Sequence, residues 1–298
     1  MSDKRTVLVT GATGKQGGAA VDALLARGHS VVGLTRNPST DSARGLAARG
    51  VSVAAGDFTN PDSLTAAAGG VDTIYAMTTP FEAGVDAEVA QGIALVNAAK
   101  AAGVGHVVLG SVASADRATG IPHFDSKYRV EQHLASAGVP HSIVAPVYFM
   151  DNLLEPWMVP GLQDGKLAMA LPAERVLQQV AVSNIGAFAA SLVERREAVF
   201  GKRYDIADDE LTGTQAAAII SQASGREISY QGFPADVLRP DSEDMALMFE
   251  WFDKVGYTAD PAALRRDFPE VPWLTYQAWA EQQDWHALGI TPAAALSA

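Results

Sequence analysis

The sequence predicts an α/β fold: a parallel sheet with helices covering both faces. Three observations carry that expectation. Short apolar, β-branched runs alternate with Ala- and Leu-rich stretches of helical length, glycine closes the first strand and the first helix, and the alternation recurs through the first half of the chain. Strands apolar on both sides belong to parallel sheets, because each crossover connection lays a helix over a face.

Residues 6–10 (TVLVT) are the first expected strand, ended by Gly11, and residues 18–27 the first helix, ended by Gly28. The second strand is expected at 30–35 and its helix at 42–49. Then come a strand at 51–54, a helix at 61–68, a strand at 72–77 and a long alanine-rich helix at 87–102. The fifth strand is expected at 106–110, a helix at 127–137 and the sixth strand at 141–145. After about Tyr148 the pattern changes: Trp and Pro become more frequent and helical segments outnumber strands. A covering helix at 180–194 and a seventh strand at 203–206 imply that the chain returns to the sheet around 180–207. The expected division is a sheet domain over 1–150 and a smaller, mainly helical lobe over 151–298, in keeping with a length that exceeds one ordinary core. The tail 292–298 is expected to fray.

Composition narrows the function. A hydrophobic share of 48% with 19% charged residues is that of a soluble globular protein, and no apolar run approaches the roughly 18 residues of a membrane span. The opening residues lead straight into a strand-like run with no apolar signal segment, so a cytoplasmic location is expected. Cysteine is absent, and the six histidines show no His-Glu-x-x-His spacing, so no metal is expected. A net charge of -12 opposes a nucleic-acid surface. The Gly-x-Ser-x-Gly elbow of hydrolases is missing, since Gly110-Ser111-Val112-Ala113 lacks its second glycine.

The strongest chemical signal is the turn Gly11-Ala12-Thr13-Gly14-Lys15-Gln16-Gly17, between the first strand and the first helix. One glycine permits a tight turn, the next lets backbone amides approach a pyrophosphate, and the third allows close helix-to-strand packing, with a helix N-terminus facing the anion. Gly11, Thr13, Gly14, Lys15, Gln16 and Gly17 are therefore expected at a dinucleotide in a doubly wound Rossmann sheet. A nucleotide-triphosphate loop fits poorly, because Val9 and Gln16 stand where it needs a glycine and a hydroxyl residue. Cofactor choice is read at the end of the second strand, where Arg36 offers a planar fork to a 2′-phosphate with no carboxylate beside it. NADP(H) is preferred and NAD(H) remains open, as does a solvated loop arginine. Asp57 and Phe58, after the third strand, stand where an adenine is held, with a simple turn as the alternative for Asp57.

At these positions the chain resembles the NmrA-like branch of the atypical short-chain dehydrogenases/reductases. The resemblance rests on residues 7–18, on Thr35-Arg-Asn-Pro38, Gly56-Asp57 and His123-Phe-Asp-Ser-Lys127, and on Pro146-Val-Tyr-Phe-Met-Asp-Asn152. It implies an NADP-binding domain and a smaller lobe forming a cleft over the nicotinamide. It also implies two kinds of function. Some members reduce quinones, ketones or conjugated double bonds, whereas others bind the cofactor and act as redox sensors through protein partners.

In typical short-chain dehydrogenases a tyrosine stands four residues before a lysine; here His123 holds the tyrosine position and Lys127 resembles the retained lysine. Lys127 is expected at the nicotinamide ribose. The proton donor stays open among Lys127, His123, water and a substrate hydroxyl. Ser111 falls where the family polarises its substrate, with Ser114 nearby. Met77, Thr78, Thr79 and Pro80 are expected beside the nicotinamide ribose, because ligands gather at the carboxyl ends of the strands. Tyr148 and Phe149 end the sixth strand and can pack on nicotinamide or substrate. Phe81, Asn152 and Trp157 are expected at the substrate, with Met158, Phe249, Trp251 and Phe252 as further lining. The expected reaction is hydride transfer from NADPH to a ketone, quinone or activated alkene, with an aromatic or quinone-like small molecule as the expected substrate.

Overall fold

The computed structural model describes residues 4–291, so the tail named above lies outside the described residues. In chain order the elements are β1 (Thr6–Val9), α1 (Lys15–Ala26), β2 (Ser30–Thr35), α2 (Asp41–Ala48), β3 (Ser52–Ala55), α3 (Pro61–Ala68), β4 (Thr73–Ala76), α4 (Val85–Ala101), β5 (Val107–Gly110), α5 (Pro122–Ala137) and β6 (His141–Pro146). They continue with β7 (Tyr148–Phe149), α6 (Val159–Gln163), β8 (Lys166–Met169), β9 (Val176–Val180), α7 (Val182–Arg195), β10 (Lys202–Ile206), β11 (Asp209–Thr212), α8 (Gly213–Ser224), β12 (Ser229–Gly232), α9 (Glu243–Lys254), α10 (Pro261–Asp267) and α11 (Tyr276–Glu281). Two compact units result: 1–146 with 182–206 and 265–272, and 147–181 with 207–264 and 273–298.

The first unit holds a seven-stranded sheet in the order β10-β6-β5-β4-β1-β2-β3, every pairing parallel. Side-chain alternation sends Leu8, Ile74, Leu109 and Ile143 to one face, where they join Leu64 of α3, Leu95 of α4 and Leu134 of α5 in one core. On the opposite face α1 and α7 approach so closely that a Cβ on Gly186 would lie 2.3 Å from the Ala19 carbonyl oxygen. Strand order reverses between β1 and β4, which opens a crevice at their carboxyl ends. Thr10 closes the strand ends there, donating through Oγ1 to the Met77 carbonyl and accepting from the Met77 amide, both at 2.7 Å.

Helix starts follow local chemistry. Thr40 and Asn60 cap α2 and α3 through their side chains, and Pro61 and Pro122 occupy first turns, where proline costs no hydrogen bond. Two starts differ from the sequence reading by three residues or more. Helix α1 begins at Lys15 rather than 18, directly on the glycine turn, and α5 begins at Pro122 rather than 127, which puts His123 and Lys127 on one helix.

The second unit mixes helices with five short strands, β7, β8, β9, β11 and β12, in a three-stranded sheet β11-β9-β7 and a two-stranded sheet β12-β8. None of these strands exceeds five residues, which is too short for an alternation pattern to stand out. Thr212 and Gln215 form a reciprocal capping box that starts α8.

Candidate functional site

The glycine turn is built for close backbone approach. Gly11 has φ +61°, a conformation that side-chain-bearing residues rarely adopt, and a Cβ there would meet Met77 Cε at 2.4 Å. A Cβ on Gly17 would lie 2.2 Å from the Gly11 carbonyl oxygen and 2.8 Å from that of Thr10, so only glycine lets α1 sit this close to β1. Gly14 caps α1 without a side-chain acceptor, which leaves the positive end of the helix directed at the crevice without an internal anion. These features fit a pyrophosphate. Thr13 and Lys15 are exposed, while Gln16 turns its amide to the hydroxyl of buried Tyr75 at 2.8 Å.

Arg36 is exposed at the end of β2. The Asp57 carboxylate is held below the ordinary range by the Thr59 amide and hydroxyl, each 2.8 Å from Oδ1, with the charge of Arg36 adding to the effect. One Asp57 oxygen is thus committed to a local turn. Phe58 is half-buried and packs against the core beneath α3.

At the end of β4, Met77 lies against Gly11, and the next residue, Thr78, turns its carbonyl to Lys127 Nζ at 3.1 Å. Lys127 also forms an ion pair with Glu88 Oε1 at 2.7 Å. The Glu88 side chain is fully buried, in the first turn of α4. Thr78 Oγ1 donates to Glu88 Oε1 at 3.3 Å and Ser126 Oγ donates to Oε2, so three side chains hold this carboxylate. Thr79 accepts from the Phe81 amide at 3.3 Å, and Pro80 is buried. Phe81 is 72% exposed with its ring 5.8 Å from that of His123, which is itself buried and packs edge-on to Phe124 at 4.7 Å.

Ser111 is buried just after β5 and donates to Glu131 Oε1. Glu131 is held in turn by Arg203 Nε at 3.0 Å, and the same guanidinium reaches Asp205 and the Val112 carbonyl at 2.7 Å. Burial raises the carboxyls of Glu131 and Asp205, and the charge of Arg203 opposes the rise. Asp205 also accepts from the amide of Ser114, whose φ is +63°. The loop after β5 is therefore tied down by a buried charge network.

The second unit carries the remaining sequence-predicted residues. The Tyr148 ring packs against Phe249 and Phe252 at 6.3 and 6.1 Å, and burial pushes its hydroxyl up to about 12 against a hydrogen bond from Asn152. Phe149 pairs with Val180 in the small sheet, Trp251 packs on Tyr257 at 5.5 Å, and Trp157 is 71% exposed.

Glu88, Ser126, Glu131 and Arg203 were not singled out from the sequence. A signal existed for the two acids. Glu88 shares a helical stripe with Gly92, Leu95 and Val96, and Glu131 shares one with Phe124 and Leu134, so each is a charge on a buried face.

The chain is 32% identical to the NAD(P)H azoreductase of Xenophilus azovorans over 227 residues, 75% of this chain and 76% of that protein. It is 29% identical to quinone oxidoreductase 2 of Escherichia coli over 236 residues, 76% of this chain and 77% of that one. The solved structure of the NADPH-dependent quinone oxidoreductase of Escherichia coli complexed with NADPH is similar at a TM-score of 0.77 and 26% identity, covering 92% of this chain and 98% of that chain. The NmrA-like family matches residues 3–282, nearly the whole length, and the chain belongs to that family.

Proposed function

We propose that this protein is an NADPH-dependent reductase whose acceptor is a quinone or a similarly conjugated aromatic molecule. The observation that carries the reading is the dipeptide Met77-Thr78, which joins the two ends of one site: Met77 lies on Gly11 of the anion-binding turn, and the Thr78 carbonyl lies on Lys127. When bound, the cofactor supplies a hydride. The residues of the chain bind and orient it: the glycine turn and the α1 N-terminus hold the pyrophosphate, Arg36 the 2′-phosphate, and Lys127 the nicotinamide ribose. The azoreductase and quinone reductase among its relatives support an aromatic acceptor.

The test is enzyme-dependent NADPH oxidation with a panel of quinones, aromatic ketones and enones, beside a direct NADPH binding titration. Quinone-dependent oxidation is expected; tight binding with no turnover on any acceptor would overturn the reading. Arg36→Ala is expected to raise the NADPH dissociation constant about tenfold or more, or about 1.4 kcal/mol, and to leave NADH nearly unchanged. Equal losses for both cofactors would show that Arg36 does not read the 2′-phosphate.

A further inference from the structure

The ion pair of Glu88 with Lys127 says what the lysine does and what it leaves to water. We infer that Glu88 is a positioning residue, pinning Lys127 as an ammonium ion that serves the nicotinamide ribose and does not protonate the substrate. The inference rests on the reductase reading above and deepens it.

An ammonium group has three N–H donors. Glu88 takes one at 2.7 Å and the Thr78 carbonyl another at 3.1 Å, which leaves one for a ligand, on a side chain that retains 15% exposure. The remaining partners of Glu88 are the hydroxyls of Thr78 and Ser126, which bring hydrogen bonds but no net charge. If Lys127 gave up its proton, Glu88 would become a buried carboxylate without a cation, which is the strongly disfavoured state of a broken buried pair. The carboxylate also ties together α4, α5 and the loop after β4, so it fixes the lysine in place as well as in charge.

The two-electron reduction of a quinone takes up one hydride and one proton, and with Lys127 held charged and His123 buried edge-on against Phe124, the proton for an acceptor that has no hydroxyl of its own comes from water. That suits acceptors whose hydride adduct is a stabilised anion. A phenolate-like product titrates near the ordinary phenol value of about 10 and is readily protonated by solvent. An alkoxide from an isolated ketone is roughly as basic as hydroxide, whose conjugate acid lies at about 15.7, and needs a donor at the site.

The test is a double-mutant cycle on the full chain, with NADPH affinity read by calorimetry and folding by thermal unfolding. Glu88→Gln and Lys127→Met are each expected to raise the dissociation constant about tenfold, and the double variant to bind no more weakly than Lys127→Met alone. Additive losses would overturn the positioning role, because a merely structural Glu88 would act whether or not the lysine is present. If Glu88→Gln fails to fold, Ser126→Ala enters the same cycle; its expected loss of about threefold vanishes in the Lys127→Met background, and its persistence there would overturn the role. Turnover is read separately with a quinone and an unconjugated ketone. Comparable rates on both would overturn the proton assignment. Non-additive NADPH binding without quinone reduction would keep the role of Glu88 and remove the reductase reading, whereas quinone reduction with additive losses would do the reverse.

Discussion

Gly17→Ala is expected to lower stability by about 3 kcal/mol and to raise the NADPH dissociation constant by about tenfold or more. The added methyl would sit 2.2 Å from the Gly11 carbonyl oxygen, 2.5 Å from its carbon and 2.8 Å from the Thr10 carbonyl oxygen. All three are backbone atoms, so no side-chain rotation relieves the overlap. Either α1 moves off β1 or the glycine turn opens, and both displace the amides that face the pyrophosphate. Gly18→Ala is the matched control, because its Cβ would meet the Ala12 carbonyl oxygen at an ordinary contact distance of 3.7 Å. Alanine there is expected to be neutral or to stabilise the helix by up to about 1 kcal/mol. Thermal unfolding with an NADPH titration checks both, and a Gly17→Ala protein that melts and binds like the parent would refute the argument.

Arg203→Leu is expected to cost about 3–5 kcal/mol at neutral pH, because it strands Glu131 and Asp205 as buried carboxylates. The pH dependence has a definite sign. Burial raises both carboxyls in the folded protein, with Arg203 as the main opposing influence, so each favours folding at low pH and loses that contribution as pH climbs through its raised folded value. Without the arginine the rise is larger. The deficit of the variant relative to the parent should therefore shrink as pH falls from neutrality towards the ordinary carboxylate range. Urea unfolding across that range measures it, and a deficit that stays constant or grows on acidification would show that the network is not held by charge. Arg203→Leu combined with Glu131→Gln and Asp205→Asn is expected to recover most of the loss, since breaking a buried pair costs far more than removing all its charges.

The sequence reading and the structure meet most closely in the first unit. The glycine spacing located the turn whose first and last glycines the structure makes sterically special, and the strand signals fell on all seven strands of the main sheet. The start of α5 was placed five residues late, because Pro122 and the polar residues after it carry little apolar periodicity even though proline is well suited to a first helical turn. The second unit was less legible, as strands of two to five residues leave no periodic signature.

What the sequence determined by itself is the local and the periodic: the α/β class, the order of strand and helix, and a glycine turn at the start of the first helix, with an arginine and a lysine as candidates for a dinucleotide. Those signals lie within a few residues of one another along the chain. The tertiary structure decided which charges meet. Lys127 finds Glu88 across 39 positions and Arg203 finds Glu131 across 72, and whether such an acid is buried or solvated depends on the packing of elements remote in sequence. A buried carboxylate must keep its partner, so the fold, and not the local pattern, sets what Lys127 is able to do.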